Sequence, residues 1–145
     1  MTTSRLLLTR ADHAVRDHRA LSVLAVLAGI VFVIFGVGKF TAHGSELASF
    51  RGYGLPAPAA TVVAIGILEI AGGLLLIARR GIAPVAVLLA GNMLTAIAVS
   101  GFGEGEVLPS LTLAPALLAI MLALLVVGLH GGEAPAPEHP APSRS

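Results

Sequence analysis

Four apolar runs of about 20 residues fill most of this chain, and a run of that length with almost no charge has few places to go. They extend roughly from Leu21 to Phe40, Ala57 to Ile77, Ile82 to Val99 and Leu111 to Leu129. About 20 residues, at about 1.5 Å each, carry a helix across the hydrocarbon core of a bilayer. Lipid offers the backbone no water, so such runs must be helical there. The competing reading is a set of buried helices in a soluble domain. A chain of 145 residues makes a single core, too small to hide four such runs. It is also only 12% charged, where a soluble domain carries about 25%. The expected fold is therefore all-α: an integral membrane bundle of four transmembrane helices over residues 21–130. A charged leader, 1–20, precedes it, and a Pro/Ala-rich tail, 131–145, follows.

Charge placement predicts orientation. With the N-terminus inside, Arg5, Arg10, Arg16, Arg19, Arg79, Arg80 and Arg144 fall on the cytoplasmic side, and only Lys39 and Arg51 fall outside. That bias follows the positive-inside rule and puts both termini in the cytoplasm of a cell-membrane, multi-pass protein. The segment Ser100–Ser110, with Glu104 and Glu106 and no base, suits an outer loop. A cleaved signal peptide is the alternative for the first run. Its leader is long for one, and no small-x-small site precedes a polar mature region. Residues Arg5–Ala20 can form an amphipathic helix on the inner face, with Leu6, Leu7, Leu8 and Val15 against lipid. The tail Glu133–Ser145 is too polar and Pro-rich to build a core. His13, His18 and His139 read as solvated side chains in these flanks.

Chemistry, if the bundle carries any, should show as polar groups at membrane depth, which are costly and rare. Glu69 is the clear case. It lies about 12 Å from the inner end of its run, and Asn92 on the next helix lies at about 15 Å, so the two should meet across the short turn between them. Glu69 shares a stripe with Gly66 and Gly73, and Gly29 falls at the same depth on the first helix. Small residues there, with Gly36, let backbones approach. Burial disfavours a carboxylate unless a cation or several donors sit nearby. A polar fastening of Glu69 to Asn92 is the plain reading; a proton-accepting or ligand-binding group in a polar cavity is the sharper one.

Lys39 closes the first run, on a stripe with Gly36 and His43. Its simplest role is to snorkel to the outer head groups. Counting depth leaves about 13–18 Å along the axis between it and Glu69, more than two side chains comfortably close. The outer loop Thr41–Pro56 is the most varied segment. His43–Phe50 can form an interfacial helix with Leu47 and Phe50 toward the membrane, and Gly52–Pro56 turns the chain back. His43, Phe50, Arg51, Tyr53 and Pro56 are the candidates for contact with a partner. No metal site is expected: His43 and His130 fall at opposite faces, and no Glu plus Glu-x-x-His set is present. With no Cys, a thiol relay within the chain is excluded. The near-neutral charge gives no reason to expect nucleic acid.

Three stretches together resemble a known family: Gly29-Ile-Val-Phe-Val-Ile-Phe-Gly-Val-Gly-Lys-Phe40, Phe50-Arg-Gly-Tyr-Gly-Leu-Pro-Ala-Pro58 and Gly66-Ile-Leu-Glu-Ile-Ala-Gly-Gly-Leu-Leu-Leu76. Over about residues 20–130 the chain resembles the DoxX-like family of small four-helix membrane proteins, with Ala90–Ala96 as a weaker match. The resemblance implies similarity to membrane subunits of sulfur-compound:quinone oxidoreductases, or to anchors of redox and detoxification complexes. Lys39 and Glu69 match polar positions of that pattern. Two functions remain open. One is a non-catalytic membrane subunit or anchor, binding a protein partner, lipids or further copies of itself. The other is a quinone- or lipid-binding component of an oxidoreductase, with a cavity around Glu69, Asn92 and Lys39. A small transporter or channel is a weaker third, because polar lining residues are scarce. No catalytic residue is assigned.

Overall fold

A computed structural model describes residues 11–101 and 112–130. Helix α1 covers residues 11–17. It is followed by α2 (Arg19–Thr41), α3 (His43–Gly52), α4 (Pro58–Ala78), α5 (Ile82–Gly101) and α6 (Ala114–His130). Residues 112–113, just before α6, form a π turn. Among the described residues there is no strand. Three helices, α2, α4 and α5, are long and apolar enough to cross a membrane, while the apolar stretch of α6 is shorter. Their outward faces carry Leu27, Ile34, Leu74, Val87, Leu94 and Val126, each more than half exposed. So apolar an exterior is a surface for lipid.

The ends of the helices follow from local chemistry. Pro58 opens α4, where its missing N–H is no loss and its fixed φ suits a first helical turn. At the other end Arg79 and Arg80 donate to the carbonyls of Leu76 and Leu75, closing α4 with a Schellman turn. Arg79 takes the left-handed position there, with φ +53°. Glycine is the usual choice for that position, and the arginine is held by long-range bonds instead. Its guanidinium donates to Ser22 Oγ at 3.0 Å, and its carbonyl accepts from Arg16 Nη2 at 3.0 Å.

Helix α1 does more than the sequence suggested. The carboxylate of Asp12 accepts from the backbone N–H groups of Gly81, at 3.0 Å, and Ile82, at 2.9 Å. It thereby caps the start of α5 from 69 residues away. Val15 was expected to face lipid, but it is fully buried in the core with Ala11. The leader is drawn in because its polar side chains satisfy helix-end groups that would otherwise face the bundle unpaired. Ala11 also sits against Gly128 of α6. The starts of α2 and α5 and the ends of α4 and α6 therefore share one end of the bundle. Leu6–Leu8, the Ser100–Ser110 loop as a whole and the tail Glu133–Ser145 lie outside the described residues.

Helix α2 packs most extensively on α4, and α5 on α6. In the first pair, Gly29 and Gly36 on α2 face Gly73 and Gly66 on α4. A methyl group placed on Gly29 would lie 2.6 Å from the Gly73 carbonyl oxygen, and one on Gly36 2.8 Å from that of Gly66. Real carbons do not approach so closely, so these positions admit only glycine. The core where the pairs meet is apolar: Phe32, Leu76, Leu89, Met121 and Leu124 are all buried.

Candidate functional site

The glycine contacts fix the register of α2 against α4, and the register decides which polar groups meet. Gly29 lies level with Gly73 and Ile77, and Gly36 with Gly66 and Ile70. Counting from the ends of the apolar runs had placed Gly29 level with Glu69. The observed offset is about six residues, or about 9 Å along the axis. Side-chain direction closes the rest. Residues on a helix lean toward its N-terminus, so on antiparallel neighbours Lys39 leans into the bundle while Glu69 leans out to meet it.

Lys39 Nζ consequently lies 3.1 Å from Glu69 Oε2. This corrects two expectations. Lys39 does not snorkel to the surface, being only 8% exposed, and the gap to Glu69 is bridged directly. Asn92 Nδ2 donates to Glu69 Oε1 at 2.9 Å, the pairing expected from their depth. Glu69 is 3% exposed, so its carboxyl group is met by the Lys39 ammonium and the Asn92 amide N–H rather than by solvent. A second carboxylate, Glu46 on α3, reaches Nζ at 3.9 Å. Glu46 was not singled out in the sequence. The signal was present: Lys39, His43 and Glu46 follow one another at i, i+4 and i+7, one face of a nearly continuous helix.

A cavity of about 130 Å³ adjoins this cluster. Phe32 and Phe35 from α2, Met93 and Ala96 from α5, and Leu113 and Leu117 beside and on α6 supply its apolar wall. Lys39 and Glu69 are its polar part. A concave apolar space with a few convergent polar groups is the usual form of a small-molecule site. None of the apolar wall residues was distinguishable from ordinary core in the sequence, because only the meeting of α2, α5 and α6 makes them line a space.

The outer-loop candidates are not brought into the cavity wall. His43 is half-buried, with Nδ1 3.3 Å from the Lys39 carbonyl. Phe50 is buried, its ring centroid 6.4 Å from that of Tyr53. Arg51 is exposed, and the Pro56 carbonyl accepts from Thr61 Oγ1 at 2.8 Å. Gly29, Gly36, Gly66 and Gly73 form the helix contact described above.

A family model, DoxX, matches residues 20–101. The matched segment holds α2 to α5, and with them Lys39, Glu46, Glu69 and Asn92, and stops before α6. No curated protein and no solved structure matches the chain.

Proposed function

The chain belongs to the DoxX family, and on that premise we propose that it is a multi-pass membrane subunit, without chemistry of its own, that holds an amphiphilic small molecule of the quinone or lipid class. One observation carries this reading: an apolar cavity with a buried ammonium–carboxylate pair in its wall. A fastening of helices alone needs no such space beside it. The absence of cysteine supports a division of labour in which a redox partner supplies any electron-transfer chemistry.

In this reading all four long helices, α6 included, cross the bilayer. At 17 residues α6 spans about 25 Å, which a modest local thinning of the membrane accommodates. The end bearing α1 faces the cytoplasm. Withdrawal of Lys39 into its ion pair supports that orientation, since it leaves Arg51 as the one outer base against seven inner arginines. The chain has no cysteine, so single cysteines report sidedness without background. Ser49→Cys should label from outside intact cells and Arg80→Cys only after lysis; the reverse pattern overturns the orientation.

The ligand proposal is tested by native mass spectrometry of the full chain released from membranes, beside a Leu117→Trp variant whose indole fills the cavity. A bound quinone or lipid carried by the wild type and lost in the variant is the expected result. Equal retention by both would place the molecule elsewhere and leave the cavity without a role.

A further inference from the structure

We propose that the end of the bundle bearing α1 binds the head group of an anionic membrane phospholipid, through two arginines, Arg16 and Arg79, that the docking of α1 brings together. This site is separate from the cavity, and neither depends on the other.

Arg16 is delivered by α1. Asp12 holds that helix against the α4–α5 turn through the N–H groups of Gly81 and Ile82. One turn further on, Arg16 donates to the carbonyl oxygen of Arg79 from Nε at 3.2 Å and from Nη2 at 3.0 Å. Arg79 in turn donates from Nη1 to Ser22 Oγ on α2 at 3.0 Å. Two arginines are thus fixed beside one another by neutral partners. A guanidinium has five N–H donors, so each keeps several for an acceptor from outside.

Their charges have no counterpart. Arg19 and Arg80 lie at the same end, and all four arginines are exposed. Among the described residues, the ion pairs within 4.0 Å both belong to Lys39, at the other end of the bundle. Asp12 is spent on the N–H groups that open α5, and Asp17, exposed on α1, comes within that distance of none of the four. Like charges gathered at one end repel, and an anion placed among them is held. Phosphate oxygens suit this site, because a guanidinium meets them two at a time through its planar fork.

The surroundings favour a lipid over a soluble phosphate. Arg19 heads the stripe of α2 that continues through Val23 and Leu27, both more than half exposed. On α4, Leu74 and Leu75 are exposed in the last turns before Arg79. An acyl chain lying on these side chains leaves its head group at the level of the arginines. That head must carry net negative charge, since a choline would bring a further cation to a site that already holds four.

The test is a titration of the full chain, delipidated in neutral detergent, with phosphatidylglycerol and with phosphatidylcholine of the same acyl chains, read by native mass spectrometry. The wild type is expected to bind the anionic lipid about tenfold or more tightly. Arg16→Gln should weaken phosphatidylglycerol binding about fivefold, as loss of one arginine at an anionic surface implies. Arg51→Gln removes the same charge at the other end and should leave binding unchanged. Asp12→Ala separates a built site from bulk charge. It makes the chain more positive, so bulk attraction would tighten binding, whereas release of α1 takes Arg16 from Arg79 and should weaken it. No preference for phosphatidylglycerol, equal effects of Arg16→Gln and Arg51→Gln, or unchanged or tighter binding by Asp12→Ala would each overturn the proposal. Displacement of the lipid by inorganic phosphate at millimolar concentration would assign the arginines to a soluble anion, and the lipid assignment would fail. Leu117→Trp, which fills the cavity, should not alter phosphatidylglycerol binding, so the two sites are tested apart.

Discussion

Where α2 meets α4, glycine faces glycine and the two backbones touch; where α5 meets α6, neither Gly91 nor Gly128 is pressed on the other helix. Gly91 has nothing within 4 Å of where its side chain would be, and Gly128 meets Ala11 rather than α5. The second pair instead contributes large buried side chains, Leu89, Met93, Leu117, Met121 and Leu124. Both kinds of contact hold helices together in lipid, where close packing replaces the hydrophobic effect as the attraction between them. They differ in what they fix. Backbone contact sets a register to within a residue, because a slip in either direction drives a side chain into a carbonyl. Interlocked side chains can readjust their rotamers. The ion pair of Lys39 and Glu69 sits on the rigid pair, and the cavity lies where that pair faces the adaptable one.

Substitutions can break or sharpen this contrast. The largest effect is expected from Gly73→Leu, because a methyl there would already lie 2.6 Å from the Gly29 carbonyl. The helices must separate, at a cost above about 3 kcal/mol, and the Lys39–Glu69 pair should come apart with them. Unfolding by denaturing detergent, followed by helical circular dichroism, measures it; a near-neutral result would mean that the α2–α4 contact is not what holds the register. Leu124→Ala on the adaptable pair should cost about 2–3 kcal/mol by leaving a void, with the α2–α4 register unchanged. Smallest of all, Gly91→Ala meets open space and should stabilise α5 by up to about 1 kcal/mol through helix propensity. A large loss from Gly91→Ala would show that this face, too, is packed against something, and the contrast between the pairs would fail.

These differences also explain which parts of the molecule were legible in its sequence. The long apolar runs announce helices because lipid leaves the backbone no other choice. The meeting of Glu69 with Asn92 was legible too, since the short turn at Arg79–Gly81 ties their depths together. Lys39 was misplaced because depth was counted from the ends of the apolar runs. The true reference is the glycine pairing, Gly29 to Gly73 and Gly36 to Gly66, which is a property of two helices and of neither alone. Glu46 stands seven residues after Lys39, a spacing that places both on one helical face. Phe32, Phe35 and Leu117 carry no mark of a cavity wall at all, for an apolar side chain looks the same beside a space as within a core. Val15 was misread for a related reason. An amphipathic segment next to a membrane fits a lipid surface as well as a bundle, and only Asp12, by capping α5, decides between them.

That cap has a consequence for how the protein is made. Asp12 leaves the ribosome before any of the long helices, and the N–H groups it satisfies belong to Gly81 and Ile82. Every helix between them must be in place before the two can meet, so docking of α1 belongs to the late steps of assembly. The contact spans 69 and 70 residues of chain, and a pairing so distant in sequence forms only after nearer ones have shortened the loop. A segment synthesised before α2, α3 and α4 thus serves as a clasp that closes only once they are in place.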